Sequence, residues 1–124
     1  MRTLTILTAL LVAAAVPTVA SGRTDPGVLK TGRCSNGAGW KLKAKHDDGL
    51  IDVEFEVDQN VNGRRWSVTL RRDGTRVFRG IRTTRPPSGS FEINRRIGNP
   101  AGPDRITAVA RAVAGGTCRA ALTI

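Results

Sequence analysis

From residue 50 to residue 70 the chain alternates between apolar and polar positions. Two runs with an apolar residue at every second place, Ile51-Val53-Phe55-Val57 and Trp66-Val68-Leu70, flank a polar turn at Asp58-Gln59-Asn60-Val61-Asn62-Gly63. Such alternation predicts two half-buried strands, each with one face in the core and one in solvent. The outward positions of the first are Asp52, Glu54, Glu56 and Asp58, an unbroken acidic row. Those of the second are Arg65, Ser67, Thr69 and Arg71. Upstream, Trp40-Leu42-Ala44 alternates with Lys41-Lys43-Lys45 and predicts a strand with its lysines outward. His46-Asp47-Asp48-Gly49 then reads as a hairpin turn, because Asp-Gly supplies the positive-φ positions such turns need. Asp73-Gly74 repeats that signal ahead of a strand over 75–83. Residues 90–97 carry Phe91 and Ile93 inward, and 105–114 with 117–124 form a last hairpin around Gly115-Gly116.

Seven strong strands spaced about twelve residues apart predict an all-β, antiparallel, seven-stranded sandwich of immunoglobulin-like or fibronectin type III-like kind. A small closed barrel is the competing fold. The chain has no Tyr, so the tyrosine corner of immunoglobulin domains is absent, and so is their usual inter-sheet cysteine pair. Pro86-Pro87 interrupts pairing, since proline cannot donate to a ladder. Residues 98–104 form a long connection of the kind that crosses between sheets. Residues 33–35 read as a weak strand, and 21–30 as a flexible lead-in around Asp25-Pro26-Gly27. Phe78 falls out of phase with Val77 and Ile81. Either a bulge turns it inward, the simpler reading, or an aromatic is presented beside Arg76 and Arg82.

The start of the chain has a separate logic. Met1-Arg2-Thr3 precedes an apolar run from Leu4 to Val16, and Pro17-Thr18-Val19-Ala20 brings small residues. This is the pattern of a signal peptide over residues 1–22, cleaved after Ala20 or Gly22, and it implies a secreted, extracellular protein. The run is too short to span about 30 Å of hydrocarbon, so no transmembrane segment is expected in the mature chain. A lead-in over 23–38 and a sandwich domain over 39–124 would follow. Cys34 and Cys118 suit one disulfide in an oxidising compartment; a metal pair would lack neighbouring ligands.

Charge sharpens the picture. The chain carries twenty Lys and Arg against ten Asp and Glu, a net charge of +10. Six of those acids lie between Asp47 and Asp58, whereas thirteen arginines follow from Arg64 onward. A Lys41-Lys43-Lys45 strand paired with the Asp52-Glu54-Glu56 strand, with Arg96 on the far flank, would neutralise one outer face. The second sheet would expose Arg65, Arg71, Thr107, Arg111, Arg119 and Thr123, plus either Arg79 or the pair Arg76 and Arg82, with no acid among them. That face suits an anionic partner; a solvated charged surface is the plainer alternative. The preference for Arg over Lys also fits coding from a GC-rich genome.

The run LKAKHDDGLIDVEFEVDQNVNGRRWSVTL, the Arg-Arg-Asp-Gly turn after it and the closing Asp-Arg-Ile-Thr-Ala…Gly-Thr-Cys stretch resemble an uncharacterised family of small secreted actinobacterial proteins. The resemblance covers nearly the whole mature chain. It implies export and domain size and supplies no activity.

Candidate chemistry is sparse. Asp58-x-Asn60-x-Asn62-Gly63 matches the first half of an EF-hand-type calcium loop, but the twelfth position, where a bidentate acid belongs, is Thr69. Plain turn chemistry explains the same residues. His46 beside Asp47 and Asp48 has no nucleophile near it, so no catalytic site and no enzyme is expected. The stiff segment 83–89 could be offered to a protease as an inhibitor loop, although Pro86 after Arg85 would hinder a trypsin-like cut. Export argues against an intracellular nucleic acid, and no aromatic stacking platform is apparent. The resulting expectation is a secreted, non-catalytic, monomeric module without a required cofactor. Its face of Arg65, Arg71, Arg111 and Arg119 would meet anionic cell-wall or extracellular polymers. A calcium-steadied adhesion or structural domain using Asp58, Asn60 and Asn62 comes second, and an exported protease inhibitor third.

Overall fold

The computed structural model of the chain describes residues 13–16 and 25–124. The predicted leader with its cleavage point lies outside the described residues, apart from 13–16. Among the described residues the protein is all-β, with eight strands. They are β1 (Val28–Arg33), β2 (Gly39–Asp47), β3 (Leu50–Asp58), β4 (Arg65–Arg72), β5 (Thr75–Thr83), β6 (Ser90–Gly98), β7 (Arg105–Ala112) and β8 (Thr117–Thr123). They form two four-stranded antiparallel sheets, ordered β1-β2-β3-β6 and β5-β4-β7-β8. Hairpins join β1 to β2, β2 to β3, β4 to β5 and β7 to β8, while the other three connections cross between the sheets.

The strand count corrects the expectation of seven. The eighth is β1, which occupies Val28–Arg33 rather than 33–35 and takes in the end of the presumed lead-in. Its register with β2 puts Val28, Lys30 and Gly32 on the inward side, so it has almost no apolar alternation to reveal it. Backbone pairing makes this strand. Asp25 anchors its approach: one carboxylate oxygen accepts the Gly27 N–H at 2.8 Å and the other the His46 N–H at 3.0 Å. The Gly27 and His46 amides hold the Asp25 carboxyl below its ordinary range. A depressed acid stabilises the fold fully above its unfolded value and loses that contribution as pH falls through the folded one. The Gly27 and His46 amide proton shifts should therefore titrate together, with a midpoint below the usual aspartate value of about 3.9. Asp25→Asn should abolish both titrations. A shared midpoint at or above the ordinary value would disprove this anchor.

The core lies between the sheets. Trp66 and Phe55 are its largest fully buried side chains, with Leu42, Ile51, Leu70 and Ile106 around them. Phe91 of β6 packs edge-on to Phe55 at 6.5 Å and tilted against Trp66 at 6.1 Å, joining both sheets. Trp66 Nε1 donates to Gln59 Oε1 at 3.0 Å, so its one polar atom is partnered. Ala108 and Ala110 of β7 are fully buried, and these short side chains let the aromatic cluster fit. Cys34, just after β1, is bonded to Cys118 of β8 and links the two sheets.

Candidate functional site

The two outer faces are built from opposite charge logic. On the β1-β2-β3-β6 sheet, Lys41 faces Glu56, Lys43 faces Glu54 and Lys45 faces Asp52, the pairing expected from sequence. Arg96 lies opposite Asp52 across β6 and closes on it at 3.0 Å, with Asp47 at 3.5 Å. The lysines are in register with their acids without reaching ion-pair distance. Counted over its outward strand positions, this face carries five cations and six carboxylates. Its charges balance to within one.

On the β5-β4-β7-β8 sheet the outward positions of β4 are Arg65, Ser67, Thr69 and Arg71, as the alternation requires. Those of β7 are Arg105, Thr107, Val109 and Arg111, and those of β8 are Thr117, Arg119, Ala121 and Thr123. The register on β5 shifts between Leu70 and Arg71, marking a bulge. Beyond it Phe78 pairs with Leu70 and packs against the core, so the inward reading of Phe78 holds. The bulge also resolves the choice left open on β5. Arg79 and Arg76 both face out, opposite Thr69 and Arg71, while Arg82 pairs with buried Trp66 and turns in. There Arg82 and Arg95 lie over Phe78, 5.1 and 4.5 Å from its ring centre, and cover the aromatic at the seam between β5 and β6.

The outward strand positions of this face thus hold seven arginines, no lysine and no acid; Asp73, in the β4–β5 turn, stands at its edge, where its carboxylate accepts the Arg105 N–H at 2.8 Å. Arg65, Arg71, Arg111 and Arg119 share it as anticipated, and Arg76, Arg79 and Arg105 complete it. A shared face for Arg76 and Arg79, three residues apart, contradicts simple alternation, so only the bulge allows it. Arg105 was legible from its phase with Thr107 but sits at a strand start, where phase is least obvious. The arginines ring a centre of four short residues: Ser67, Thr69, Thr107 and Val109. Each of these has two arginines among its nearest neighbours along and across the strands. The centre is half-buried, whereas every arginine of the ring except Arg71 is exposed. An open depression of about 660 Å³ along β5 adjoins it, lined by Ser67, Arg76, Arg79 and Ile81 among others. Arg71 and Arg76 face each other directly, a like-charge pairing that costs stability.

The calcium-loop residues make a turn braced by the neighbouring connection. Asp58 Oδ1 accepts the Asn60 N–H at 3.0 Å, and Asn60 takes a positive φ of 57°. Buried Thr84 takes the Arg64 N–H and donates to the Val61 carbonyl at 2.6 Å, while Gly63 N–H reaches the Thr84 carbonyl. Asp58 Oδ1 and the Val61 carbonyl are thereby engaged within the protein. In the segment 83–89, the Arg85 carbonyl accepts N–H bonds from Gly89 and Ser90, closing the chain into a turn. Gly89 is needed there: its φ is 66°, and a Cβ would collide with the Val61 backbone.

His46 stands at the end of β2 with its Nδ1 3.2 Å from the Asn99 amide. With the amide oxygen turned to His46, Asn99 Nδ2 donates to Asp104 Oδ2 at 3.1 Å and to the Pro100 carbonyl at 3.3 Å. Asp104 is 1% exposed, so this chain ties the β6–β7 connection to β2. Both cysteines are in the disulfide, and no serine joins the network.

No helix among the described residues is long and apolar enough to cross a membrane. No protein-family model matches the chain, and neither the curated proteins nor the solved structures provide a match.

Proposed function

We propose that the protein is an exported, non-catalytic binding module whose arginine face engages anionic polymers of the cell envelope or extracellular space. One observation carries this reading. Seven arginines gather on the outward strand positions of one face with no acid among them, while the opposite face balances its charges to within one. Unpaired like charge on a surface repels itself and destabilises the compact state, and an anionic partner relieves that cost. A GC-rich coding bias does not account for the pattern, because the same chain places Lys41, Lys43 and Lys45 on its charge-balanced face. The apolar run at 4–16 and the Cys34–Cys118 bridge support export. Three inter-sheet crossings, with the strand orders β1-β2-β3-β6 and β5-β4-β7-β8, support a fibronectin type III-like sandwich with an added first strand.

Heparin chromatography tests the assignment of the face. Arg65→Ser/Arg111→Ser and Lys41→Ser/Lys43→Ser remove the same net charge from opposite sheets. The arginine variant should elute at markedly lower salt and the lysine variant close to the unaltered protein. Equal displacement of both variants would reduce the interaction to net charge alone and overturn the proposal.

A further inference from the structure

We infer that the arginine ring and its hydroxyl-bearing centre form a site for a linear phosphodiester polymer. The inference rests on the reading of this face as polyanion-binding and goes beyond it by naming the anion. Three of the four central residues, Ser67, Thr69 and Thr107, carry hydroxyls that can donate. They are shorter than the surrounding arginines, which makes the centre the floor of a shallow basin with guanidinium groups on its rim. Neighbours across the strands stand about 5 Å apart at Cβ, and those along a strand about 6.8 Å. Donors therefore converge on the centre from below and from several sides.

A planar carboxylate presents both oxygens in one plane and is satisfied by a single arginine fork. A phosphodiester directs its oxygens tetrahedrally, so one group can meet rim arginines and a floor hydroxyl together. The use of Arg to the exclusion of Lys matches this, since the rigid planar fork suits phosphate recognition and the lysine head acts as a point charge. Val109, beside Thr69, gives the floor one apolar spot for the carbon linkers that separate phosphates.

Other occupants fit less well. A second copy has little complementary charge to offer, because its opposite face has an excess of only one carboxylate and its like face repels. A bilayer surface is usually engaged with aromatic anchors, yet no Trp or Phe points outward from this sheet. A linear polymer needs neither feature.

The test titrates the folded protein with three probes at fixed salt: an abasic oligodeoxyribose phosphate, an oligoglutamate of equal charge, and vesicles of phosphatidylglycerol in phosphatidylcholine. The phosphodiester should bind at least tenfold tighter than oligoglutamate. Thr69→Val and Ser67→Ala, which leave every charge in place, should together weaken the phosphodiester by about tenfold, the loss expected for hydrogen bonds to a charged acceptor. They should leave oligoglutamate unaffected. Equal affinity for both oligomers would overturn the inference and leave the polyanion-binding face intact. Binding to neither oligomer would remove both readings, and binding confined to vesicles would overturn the inference in favour of a bilayer. Far-UV circular dichroism and an unchanged urea midpoint establish that the floor variants are folded.

Discussion

Replacing both bridged cysteines, Cys34→Ala with Cys118→Ala, should lower the unfolding free energy by about 4.5 kcal/mol. The bond closes a loop with a sequence separation of 84, and on the chain-entropy model a loop that long gives nearly the largest stabilisation a single bridge can supply. Its position reinforces the estimate. Cys34 leaves the outermost strand of one sheet and Cys118 lies on the outermost strand of the other, so the bond clamps the edge where β1 meets β8. The remaining local ties are modest: Ser35 N–H to the Thr117 carbonyl at 3.0 Å, Thr117 N–H to Ser35 Oγ at 2.8 Å and Asn36 Nδ2 to the Gly115 carbonyl at 3.4 Å. The core has only three Phe and two Trp to draw on. A domain of this size commonly has about 5–15 kcal/mol in total, so the bridge supplies between about a third and nine-tenths of it. Urea unfolding of the two forms measures the difference directly. A loss below about 1 kcal/mol would mean that the packed core alone holds the sheets together.

The strands that sequence made legible are those that bury one face. In β3 and β4 every second residue is buried, and burial of that kind leaves an alternating imprint on the chain. The cross-strand charge register followed from the same logic, because alternation fixes which residues of β2 and β3 look out together. β1 escaped because it is a sheet edge whose inward residues are Val28, Lys30 and Gly32. Its pairing rests on backbone hydrogen bonds that any residue can make. The bulge opposite Leu70 and Arg71 was legible only as a phase conflict at Phe78, which showed that something must break but not which arginines it would turn outward. Arg95 illustrates the converse. It occupies an inward phase on β6, between Ile93 and Ile97, yet stays exposed by lying over Phe78 where the sheets open.

These details decide which arginines share the face. Four arginines were visible because β4, β7 and β8 alternate without interruption. Arg76 and Arg79 had to wait for the bulge, and they close the ring on its β5 side. An irregularity of one residue therefore separates a scatter of positive charge from an enclosure around Ser67, Thr69, Thr107 and Val109. Bulges are recurrent devices for re-aiming side chains, and here one places Arg76 opposite Arg71 at a cost that an isolated protein gains nothing from.

The combined substitution of Arg65, Arg71, Arg111 and Arg119 by Ser should have the largest effect on binding. Each arginine that neutralises a phosphate of a flexible single strand contributes about 0.7 to the slope of log Kobs against log salt concentration. Four such contacts correspond to a slope change of about 2.8, and at about 0.1 M salt to a loss of roughly 10²–10³-fold in affinity. Fluorescence titrations of the abasic oligodeoxyribose phosphate at several salt concentrations measure both quantities. Serine substitution of Arg33, Lys41, Lys43 and Lys45 removes the same charge from the balanced face and should change the slope by less than about 1, since exposed charges beyond a Debye length of about 10 Å are screened. A matching slope change in that control would end the case for a dedicated face. Loss of structure cannot imitate the expected result, because removing Arg71 relieves its repulsion with Arg76 and Ser is tolerated at the other exposed positions. A variant that binds far less while unfolding no more easily would separate the purpose of these arginines from the stability of the sheet that carries them.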